Sequence, residues 1–314
     1  MAQHRFGFAT LAGPPNVGKS TLLNRIIGQK ISIVSRRPQT TRHRILGIKT
    51  LPEFQIAFVD TPGLHGELQK SQQKTRQKTQ RKTQRKTLSK VINKTAISSM
   101  SDADVILFMI DYKGWSESRS AVFRHAKSKN TPIILLINKI DRLKDKSRLL
   151  PLIQESKNRH DFVEIVPISA LKLEPINDFL KTVSRHLPAG PAGFPEDRIA
   201  DRSERFLAAE LVREQIFMTL GQELPYAIAT AVDKFETNER GVLCIDIVIW
   251  VEKIGQKAIV IGKQGQQLKT IGMNARKQME RSFNKKVYLS LWVKVKQGWA
   301  DKAALLHALG YTEN

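Results

Sequence analysis

The feature of this sequence that most constrains its fold is a glycine-rich segment near the N-terminus, residues 13–20, which reads Gly-Pro-Pro-Asn-Val-Gly-Lys-Ser. It matches the pattern G-x-x-x-x-G-K-[ST] and stands between an apolar run typical of a strand, residues 6–11, and a segment with helical apolar spacing, residues 21–27. In that context the pattern predicts a loop whose backbone N–H groups, together with the helix N-terminus, hold a phosphate. The alternative is a corner of the fold that needs its glycines for geometry alone.

The same pattern assigns roles to the residues of the loop. Lys19 is expected to reach the β- and γ-phosphates of a nucleotide, and the Ser20 hydroxyl is expected to bind Mg²⁺. The other residues predicted to contact the nucleotide in this segment are Gly13, Asn16, Val17, Gly18 and Thr21.

Further apolar runs of strand length follow along the chain, at residues 54–59, 105–110, 133–137 and 163–167. Helical patterns near 116–129 and 174–187 separate several of them. Alternation of this kind predicts an α/β fold, a doubly wound, mostly parallel sheet with helices on both faces. Ligands of such sheets bind beyond the carboxyl ends of the strands, so functional residues are expected in the turns that follow the strands.

One of these turns, after the run at 54–59, is suited to a metal ion and a phosphate. It reads Asp60-Thr61-Pro62-Gly63. The carboxylate of Asp60 suits a contact with Mg²⁺, and the backbone N–H of Gly63 suits a γ-phosphate.

Two later turns are suited to a guanine base. In Asn138-Lys139-Ile140-Asp141, the Asp141 carboxylate can accept hydrogen bonds from both the N1–H and the 2-amino group of guanine, while Asn138 and Lys139 brace the loop. Adenine lacks these donors and would leave a buried acceptor unpaired. In Ser169-Ala170-Leu171, small side chains let a backbone N–H approach the guanine O6.

The order and spacing of these motifs resemble the TrmE–Era–EngA group of translation-factor-like P-loop GTPases. Residues 15–24, together with Thr40-Thr41-Arg42, are close to that group's pattern. The resemblance implies GTP or GDP as the bound nucleotide and Mg²⁺ as its metal. It also implies that Thr41, with Thr40 as the alternative, is the metal ligand of the first switch loop, and that Lys19, Thr41 and Gly63 take part in catalysis.

One departure from related GTPases concerns the attacking water. Ras-like GTPases carry a glutamine after the glycine of the D-x-x-G turn, whereas this chain carries Leu64, which cannot orient a water by hydrogen bonding. We therefore predict slow hydrolysis by the chain alone. The resemblance implies K⁺ beside Asn16 as a further cation, and the backbone and a bound partner are the other expected sources of positioning for the water.

The net charge of the chain is +23, and two blocks carry most of it. Residues 66–99 hold seven Lys and three Arg against one Glu, and residues 253–302 hold twelve basic residues against two acidic ones. Such a chain favours polyanions as partners, with nucleic acid ahead of membrane surfaces. Because residues 71–87 contain no apolar side chain, we predict a solvated, largely disordered tract over 70–94. The alternative is an accessory contact with RNA or an anionic membrane.

Three prolines and two glycines within residues 188–195 predict a linker over 188–200, between a first domain at 1–187 and a second at 201–314. The second domain follows the order α-β-β-α-α-β. Its predicted elements are a helix at 205–220, strands at 226–235 and 242–251, a helical pattern through 283, a strand at 287–295 and a short C-terminal helix.

Gly262-Lys263-Gln264-Gly265 lies between an apolar stretch and a helical pattern and resembles the G-x-x-G turn of a KH domain, which clamps about four single-stranded nucleotides. A glycine-rich connection between helices is the alternative. The residues predicted to bind RNA are Gly262, Lys263, Gln264, Gly265, Lys269, Arg276, Lys294 and Lys296.

Residues 201–210, 221–226 and 291–299 resemble the Era family of bacterial GTPases, and the resemblance covers nearly the whole chain except about 66–99. It implies a type II KH fold, binding to the 3′ end of small-subunit ribosomal RNA, and a role in assembly of the small ribosomal subunit. It also implies a peripheral contact with the anionic inner face of the cell membrane. Trp292 is predicted to lie in the core rather than to stack on bases, and Trp299 suits either role.

The sequence also predicts several absences. It contains no run of eighteen apolar residues that would span a membrane, and its first strand begins too early for a signal peptide, so a cytoplasmic location is expected. The single cysteine, Cys244, is expected to be buried, and it excludes a disulfide within the chain. The favoured function is a GTP-hydrolysing switch that binds RNA. The alternatives are an RNA-binding protein with negligible GTP turnover and a GTP-dependent regulator at the membrane surface.

Overall fold

Strands and helices alternate along most of the chain, as the apolar pattern predicts. The computed structural model describes residues 3–38, 40–63, 86–128, 130–221 and 224–301, with the side chains of all of these except 86–90 and 301. These residues fall into two compact units. The second unit takes in Ile33–Thr40 as well as the chain from Arg202 onward.

The first unit is built on a six-stranded sheet. Its strands are β1 (Arg5–Ala12), β2 (Ile45–Leu51), β3 (Phe54–Asp60), β4 (Val105–Asp111), β5 (Ile133–Asn138) and β6 (Glu164–Pro167). The helices along this part of the chain are α1 (Lys19–Ile27), α2 (Lys86–Ser101), α3 (Glu117–Lys127), α4 (Leu149–Lys157) and α5 (Ile176–Ser184). The strand order is β2-β3-β1-β4-β5-β6, with every pair parallel except β2 and β3. The predicted doubly wound, mostly parallel sheet is confirmed.

The central strands β4 and β5 are buried along their whole length, and for this reason they read as continuous apolar runs. Their carboxyl ends, together with those of β1 and β3, lie at one edge of the sheet. The turns after these four strands are the ones in which the motifs occur, so the topology brings the predicted nucleotide residues to a single edge.

The second unit contains a three-stranded sheet in the order β7-β8-β9. Its elements are α6 (Glu204–Thr219), β7 (Ala229–Thr237), β8 (Leu243–Val251), α7 (Ile254–Ile261), α8 (Gln266–Phe283) and β9 (Val287–Val295). Strand β8 is antiparallel to β7 and parallel to β9. The predicted α-β-β-α-α-β order is therefore confirmed over the described residues. Alternate residues of β8 face the core, where Ile245, Ile247 and Ile249 are fully buried.

The prediction of a solvated tract over 70–94 was wrong for its last part, because helix α2 begins at Lys86. Apolar residues return after 87, and Ile92 is buried, so the helix has a face to pack. Residues 64–85 lie outside the described part of the chain, and the rest of that prediction remains a prediction.

Residues 188–200, predicted as a linker, are fixed against the first unit. The backbone N–H of Phe6 donates to the Pro188 carbonyl at 3.2 Å, and the Gln55 side chain accepts from the backbone of Gly193 and Phe194 at 2.9 Å each. The Phe194 ring packs edge-on against the Phe6 ring, with their centroids 5.9 Å apart. This segment is therefore part of the packed structure.

Two further expectations concern membranes and cysteine. Among the described helices, none has the length and apolar character needed to span a bilayer. Cys244 lies on β8 as expected, but it is only partly buried, because it points to the sheet face away from the helices. The expectation that Cys244 is fully buried was therefore wrong, because the described helices do not cover that face of the sheet.

Candidate functional site

The phosphate loop between β1 and α1 is shaped by two glycines at which no other residue fits. Gly13 has a φ of 141°, and a Cβ on it would lie 2.5 Å from the Met109 carbonyl oxygen. Gly18 has a φ of 109°, and a Cβ on it would lie 2.3 Å from Nδ2 of Asn138. The loop is thus pressed against the ends of β4 and β5, and any side chain at these positions would force it away.

Lys19 is buried at the first turn of α1, where its Nζ donates to the carbonyls of Gly13 and Pro14, at 3.0 Å each. Burial lowers the pKa of its ammonium to about 8, and the nearby Asp60 carboxylate offsets part of this effect. The ammonium is therefore held at the loop with its charge only partly compensated. A phosphate placed there would supply the missing negative charge.

This depressed pKa predicts that nucleotide binding takes up a proton in mildly basic solution. Bound phosphates raise the pKa of Lys19, so above about pH 8 the free protein must gain a proton on binding, and the affinity falls as the pH rises. Calorimetry at about pH 8.5 in two buffers of different ionisation enthalpy should reveal the uptake, and the same pair of buffers at about pH 7 should show much less.

The pKa of Lys139 is also lowered by burial, so the matched control is the variant K139R, which stays charged at either pH. That variant should take up the proton as the natural chain does. Equal heats in both buffers at the higher pH would contradict the assignment to Lys19.

Three oxygen-bearing side chains meet beside the loop, as the sequence predicted for a Mg²⁺ site. The Ser20 hydroxyl lies 2.8 Å from Oγ1 of Thr41 and donates to Oδ2 of Asp60 at 2.6 Å. Ser32, which the sequence analysis did not single out, donates to the same Oδ2 at 2.9 Å. Oδ1 of Asp60 is buried and has no hydrogen-bond partner among the described residues.

This arrangement fits a hard divalent cation. Burial raises the pKa of the Asp60 carboxyl, although hydrogen bonds from Ser20 and Ser32 and the charge of Lys19 act in the opposite direction. A buried carboxylate with one oxygen unsatisfied, flanked by two hydroxyls, matches the oxygen ligands that Mg²⁺ takes beside a phosphate. Ser20, Thr41 and Asp60 are therefore brought together as predicted.

The structure distinguishes Thr41 from its neighbour Thr40. The Thr40 hydroxyl donates to the Arg37 carbonyl at 2.8 Å, and the Thr40 carbonyl accepts from Nη2 of Arg213 at 2.6 Å. The backbone N–H of Val34 donates to Oε1 of Glu214 at 2.8 Å. These bonds lie within the second unit and leave Thr41 as the threonine beside Ser20.

The turn after β3 brings Gly63 close to the phosphate loop. A Cβ on Gly63 would lie 2.8 Å from Cα of Pro15, so only glycine lets the backbone of this turn approach the loop so closely. Thr61 fixes the turn by donating to the Leu11 carbonyl at 2.8 Å. Leu64 lies outside the described residues, and slow hydrolysis by the chain alone remains a prediction.

Asn138 connects the three segments predicted to hold the guanine nucleotide. Its Nδ2 donates to the Val17 carbonyl at 2.7 Å, and its Oδ1 accepts from the backbone N–H groups of Lys139, at 2.7 Å, and Ala170, at 2.8 Å. Removing this buried side chain would break the hydrogen bonds that hold the phosphate loop to the loops after β5 and β6, the two loops predicted to contact the base. The role predicted for Asn138, bracing the loop, agrees with this geometry.

The other residues predicted to contact the base lie in the loops after β5 and β6. Lys139 adopts a φ of 64°, and its Nζ donates to the Asn16 carbonyl. The exposed carboxylate of Asp141 accepts from the Ser169 hydroxyl at 2.7 Å, which fixes its orientation. Leu171 is exposed beside them. The predicted guanine residues are therefore brought together at one sheet edge.

In the second unit, the G-x-x-G turn connects α7 to α8. Gly262 and Gly265 have φ values of 74° and 76°, and Gln264 between them has a φ of 51°. A Cβ on Gly262 would lie 2.7 Å from the Gln267 side chain, whereas a Cβ on Gly265 would meet nothing within 4 Å. Gly265 thus opens one side of the turn to a ligand. Lys263 and Gln264 are exposed at its tip.

A cleft of about 520 Å³ lies beside this turn, between α8 and β9. Lys269 and Arg276 line it, as expected of residues that contact a phosphate backbone. The uncharged part of the lining was not predicted from the sequence; it consists of Leu268, Gly272, Met273, Tyr288, Leu289 and Leu291. Such residues read as core in the sequence, and only the gap between α8 and β9 shows that they line a cleft.

Three residues of β9 and the chain after it differ from expectation. Lys294 and Lys296 do not line the cleft, because they lie further along the chain, where Lys294 pairs in register with Trp250 of β8 and Nζ of Lys296 is 4.7 Å from the centroid of the Trp250 ring. Trp292, predicted to be core, is 59% exposed. Trp299 is buried, and its Nε1 donates to the Ala227 carbonyl at 3.3 Å.

Comparison with known proteins agrees with both folds. The family described as 50S ribosome-binding GTPase matches residues 8–139, the GTP-binding domain of elongation factor Tu matches residues 92–189, and the KH domain family matches residues 223–300. Together with the geometry of the two units, these matches identify a P-loop GTPase that carries a KH domain.

The chain is 45% identical over 307 residues to GTPase Era of Actinobacillus pleuropneumoniae serotype 5b (strain L20). This match covers 98% of this chain and 96% of the relative. The same values hold for GTPase Era of Haemophilus influenzae (strain PittGG). The chain therefore belongs to the Era family of GTPases.

Two solved Era structures are similar to this chain, each with a TM-score of 0.88 and 39% identity. One is Aquifex aeolicus Era bound to GDP·AlF4⁻, and the match covers 98% of this chain and 100% of that one. The other is Era in complex with MgGDPNP and nucleotides 1506–1542 of 16S ribosomal RNA, with 99% and 100% covered.

Proposed function

We propose that this chain is a GTP-hydrolysing switch that binds the single-stranded 3′ end of small-subunit ribosomal RNA and assists assembly of the small ribosomal subunit. The observation that carries the proposal is the similarity over full length to an Era protein solved with both MgGDPNP and nucleotides 1506–1542 of 16S ribosomal RNA. The two sites described above are the parts of this chain that would hold those two ligands.

In the nucleotide site, Ser20, Thr41 and Asp60 would hold Mg²⁺, which neutralises charge on the β- and γ-phosphates during hydrolysis. Lys19 would bind the same phosphates, and the Gly63 N–H would hold the γ-phosphate. The backbone of the loop would cradle the phosphates through Gly13, Asn16, Val17, Gly18 and Thr21. The unsatisfied oxygen of Asp60 and the partly compensated charge of Lys19 support these roles.

Recognition of the base would fall to the loops after β5 and β6. Asp141 would accept from the N1–H and the 2-amino group of guanine, and the backbone at Ala170 would approach O6 between Ser169 and Leu171. Asn138 and Lys139 would hold these loops to the phosphate loop. The bond between Ser169 and Asp141 supports this role, because it orients the carboxylate before the base arrives.

In the RNA site, residues 262–265 would clamp the sugar–phosphate backbone, and Lys269 and Arg276 would contact phosphates along the cleft. The apolar wall of the cleft would receive the bases. For the domain boundaries we propose 1–187 and 201–314. The resemblance also suggests K⁺ beside Asn16 and a peripheral membrane contact, and both belong to the proposal.

The proposal predicts that RNA binds more tightly to the chain loaded with a non-hydrolysable GTP analogue than to the chain loaded with GDP. If RNA prefers one nucleotide state, then by linkage it must stabilise that nucleotide by the same factor, typically about 5- to 150-fold. Fluorescence anisotropy with a labelled oligonucleotide of the ribosomal 3′ end measures both affinities.

The matched control is Gly262→Ala, which should abolish the RNA signal in both states while leaving the nucleotide affinity unchanged. Its methyl group would lie 2.7 Å from Gln267 at a backbone φ of 74°. Equal RNA affinities of the natural chain in the two states would remove the switch from the proposal, even with both binding sites intact.

A further inference from the structure

The three-stranded sheet of the second unit has one face covered by helices and one face that carries aromatic side chains. On β9, Val287 and Val293 point into the core, whereas the alternate residues Tyr288 and Trp292 are 63% and 59% exposed. Strand β9 is the edge of the sheet. Two large aromatic side chains therefore stand in solvent along one edge strand, four residues apart.

Lysines accompany these aromatic side chains. Lys294 pairs in register with Trp250 of β8, and Nζ of Lys296 lies 4.7 Å from the centroid of the Trp250 ring. On the same face Glu236 of β7 is ion-paired with Lys234 at 3.1 Å, and Asp246 of β8 pairs in register with Ser290 of β9. The positive charge of β9 is thus concentrated toward its carboxyl end, at Lys294 and Lys296, beyond Asp246.

Aromatic rings beside lysines are the features with which proteins bind single-stranded nucleic acid, because bases stack on the rings while lysines neutralise phosphates. The β9 edge has both features, and its charge excludes a cationic partner. The position of Tyr288 indicates which nucleic acid would bind here. Tyr288 also lines the cleft beside the G-x-x-G turn, so an RNA strand bound in the cleft would reach the exposed face at this residue.

We propose that a surface along β9, here called the β9 strip, binds the single-stranded RNA that extends beyond the cleft. The β9 strip consists of Tyr288, Trp292, Lys294 and Lys296, together with Trp250 of the neighbouring strand β8. The inference rests on the proposed function, since it takes the RNA in the cleft as its starting point. At a rise of about 3.3 Å per residue, Trp292 stands about 13 Å along the strand from Tyr288. RNA that fills only the cleft would not reach Trp292, whereas a longer strand would stack a base on it.

The test compares the full chain with the variants W292A and W292F against two RNA oligonucleotides, one of about four nucleotides and one of about ten. Removing a stacked ring should weaken binding of the longer RNA by about tenfold and leave the shorter RNA unchanged. The phenylalanine variant keeps a ring and should retain the affinity for the longer RNA to within about threefold.

A second pair of variants tests the charges without altering a ring. The double variant K294Q/K296Q should reduce the slope of log affinity against log salt for the longer RNA by about 1.4, since each phosphate contact with a single strand contributes about 0.7. The matched control is K234Q on the same sheet face, whose lysine is ion-paired with Glu236 and should leave the slope unchanged.

The outcomes separate this inference from the proposed function. If W292A binds the longer RNA as tightly as the natural chain, or loses affinity equally for both lengths, the β9 strip is not an RNA surface, although the cleft remains one. If the natural chain binds neither RNA, the proposed function fails as well. Should W292A not fold, an unchanged salt slope in the double variant K294Q/K296Q overturns the inference by itself.

Discussion

The variant Asp141→Asn is expected to bind GTP about a hundredfold more weakly than the natural chain, or worse. The amide offers one acceptor in place of two and turns a donor toward guanine groups that are themselves donors, which leaves polar groups unpaired in the site. Xanthosine triphosphate carries a carbonyl where guanine carries its 2-amino group. The variant should therefore prefer xanthosine triphosphate, and competition against a fluorescent nucleotide measures both affinities.

Because Asp141 is exposed and its only described partner is the Ser169 hydroxyl, the substitution should leave the fold intact. The matched control is Asp145→Asn, which alters another exposed carboxylate, one bonded to Ser147 just beyond the base loop. That variant should bind GTP normally. Unchanged affinity and base preference in Asp141→Asn would mean that this carboxylate does not read the base.

The variant Gly18→Ala should lose nucleotide binding by a similar factor for a steric reason. Its methyl group would lie 2.3 Å from Nδ2 of Asn138, at a φ of 109° that alanine rarely adopts. Relief requires either the phosphate loop or Asn138 to move, and the bond from Asn138 to the Val17 carbonyl would break in both cases. The substitution therefore disturbs phosphate and base recognition together.

The control for backbone strain is Gly28→Ala, at the other end of α1. Its φ is 85°, but its Cβ would meet nothing within 4 Å. It should lower the stability of the chain by about 1 kcal/mol and leave nucleotide affinity unchanged. Calorimetric titration and thermal unfolding without nucleotide separate the two effects. Equal nucleotide affinities in the two variants would show that the contact with Asn138 is unimportant.

Much of the nucleotide site could be predicted from the sequence because each of its motifs follows an apolar strand. Parallel strands bring their carboxyl ends to one edge, so Asp60 and Asn138 had to approach the phosphate loop once the sheet was recognised. Ser32 could not be predicted, since it lies in a polar loop without a motif and reaches Asp60 only through the folding of that loop.

The errors in the prediction have physical causes that differ by element. Strand β2 was missed because Gly47 and Lys49 interrupt its apolar pattern, and among the described strands of the first sheet it alone runs antiparallel to its neighbour. Trp292 was assigned to the core because it stands in an apolar run, but the period of two places it opposite to Val293. The alternation of Tyr288, Ser290 and Lys294 with apolar residues is the signal in the sequence that indicates the exposed face.

The central claim is that the loops after β5 and β6 select guanine through Asp141. Calorimetric titration of the full chain with GTP and with ATP, each in the presence of Mg²⁺, tests it most directly. We expect GTP to bind at least about a hundredfold more tightly than ATP, because adenine leaves the carboxylate unpaired. ATP binding as tight as that of GTP would contradict the account.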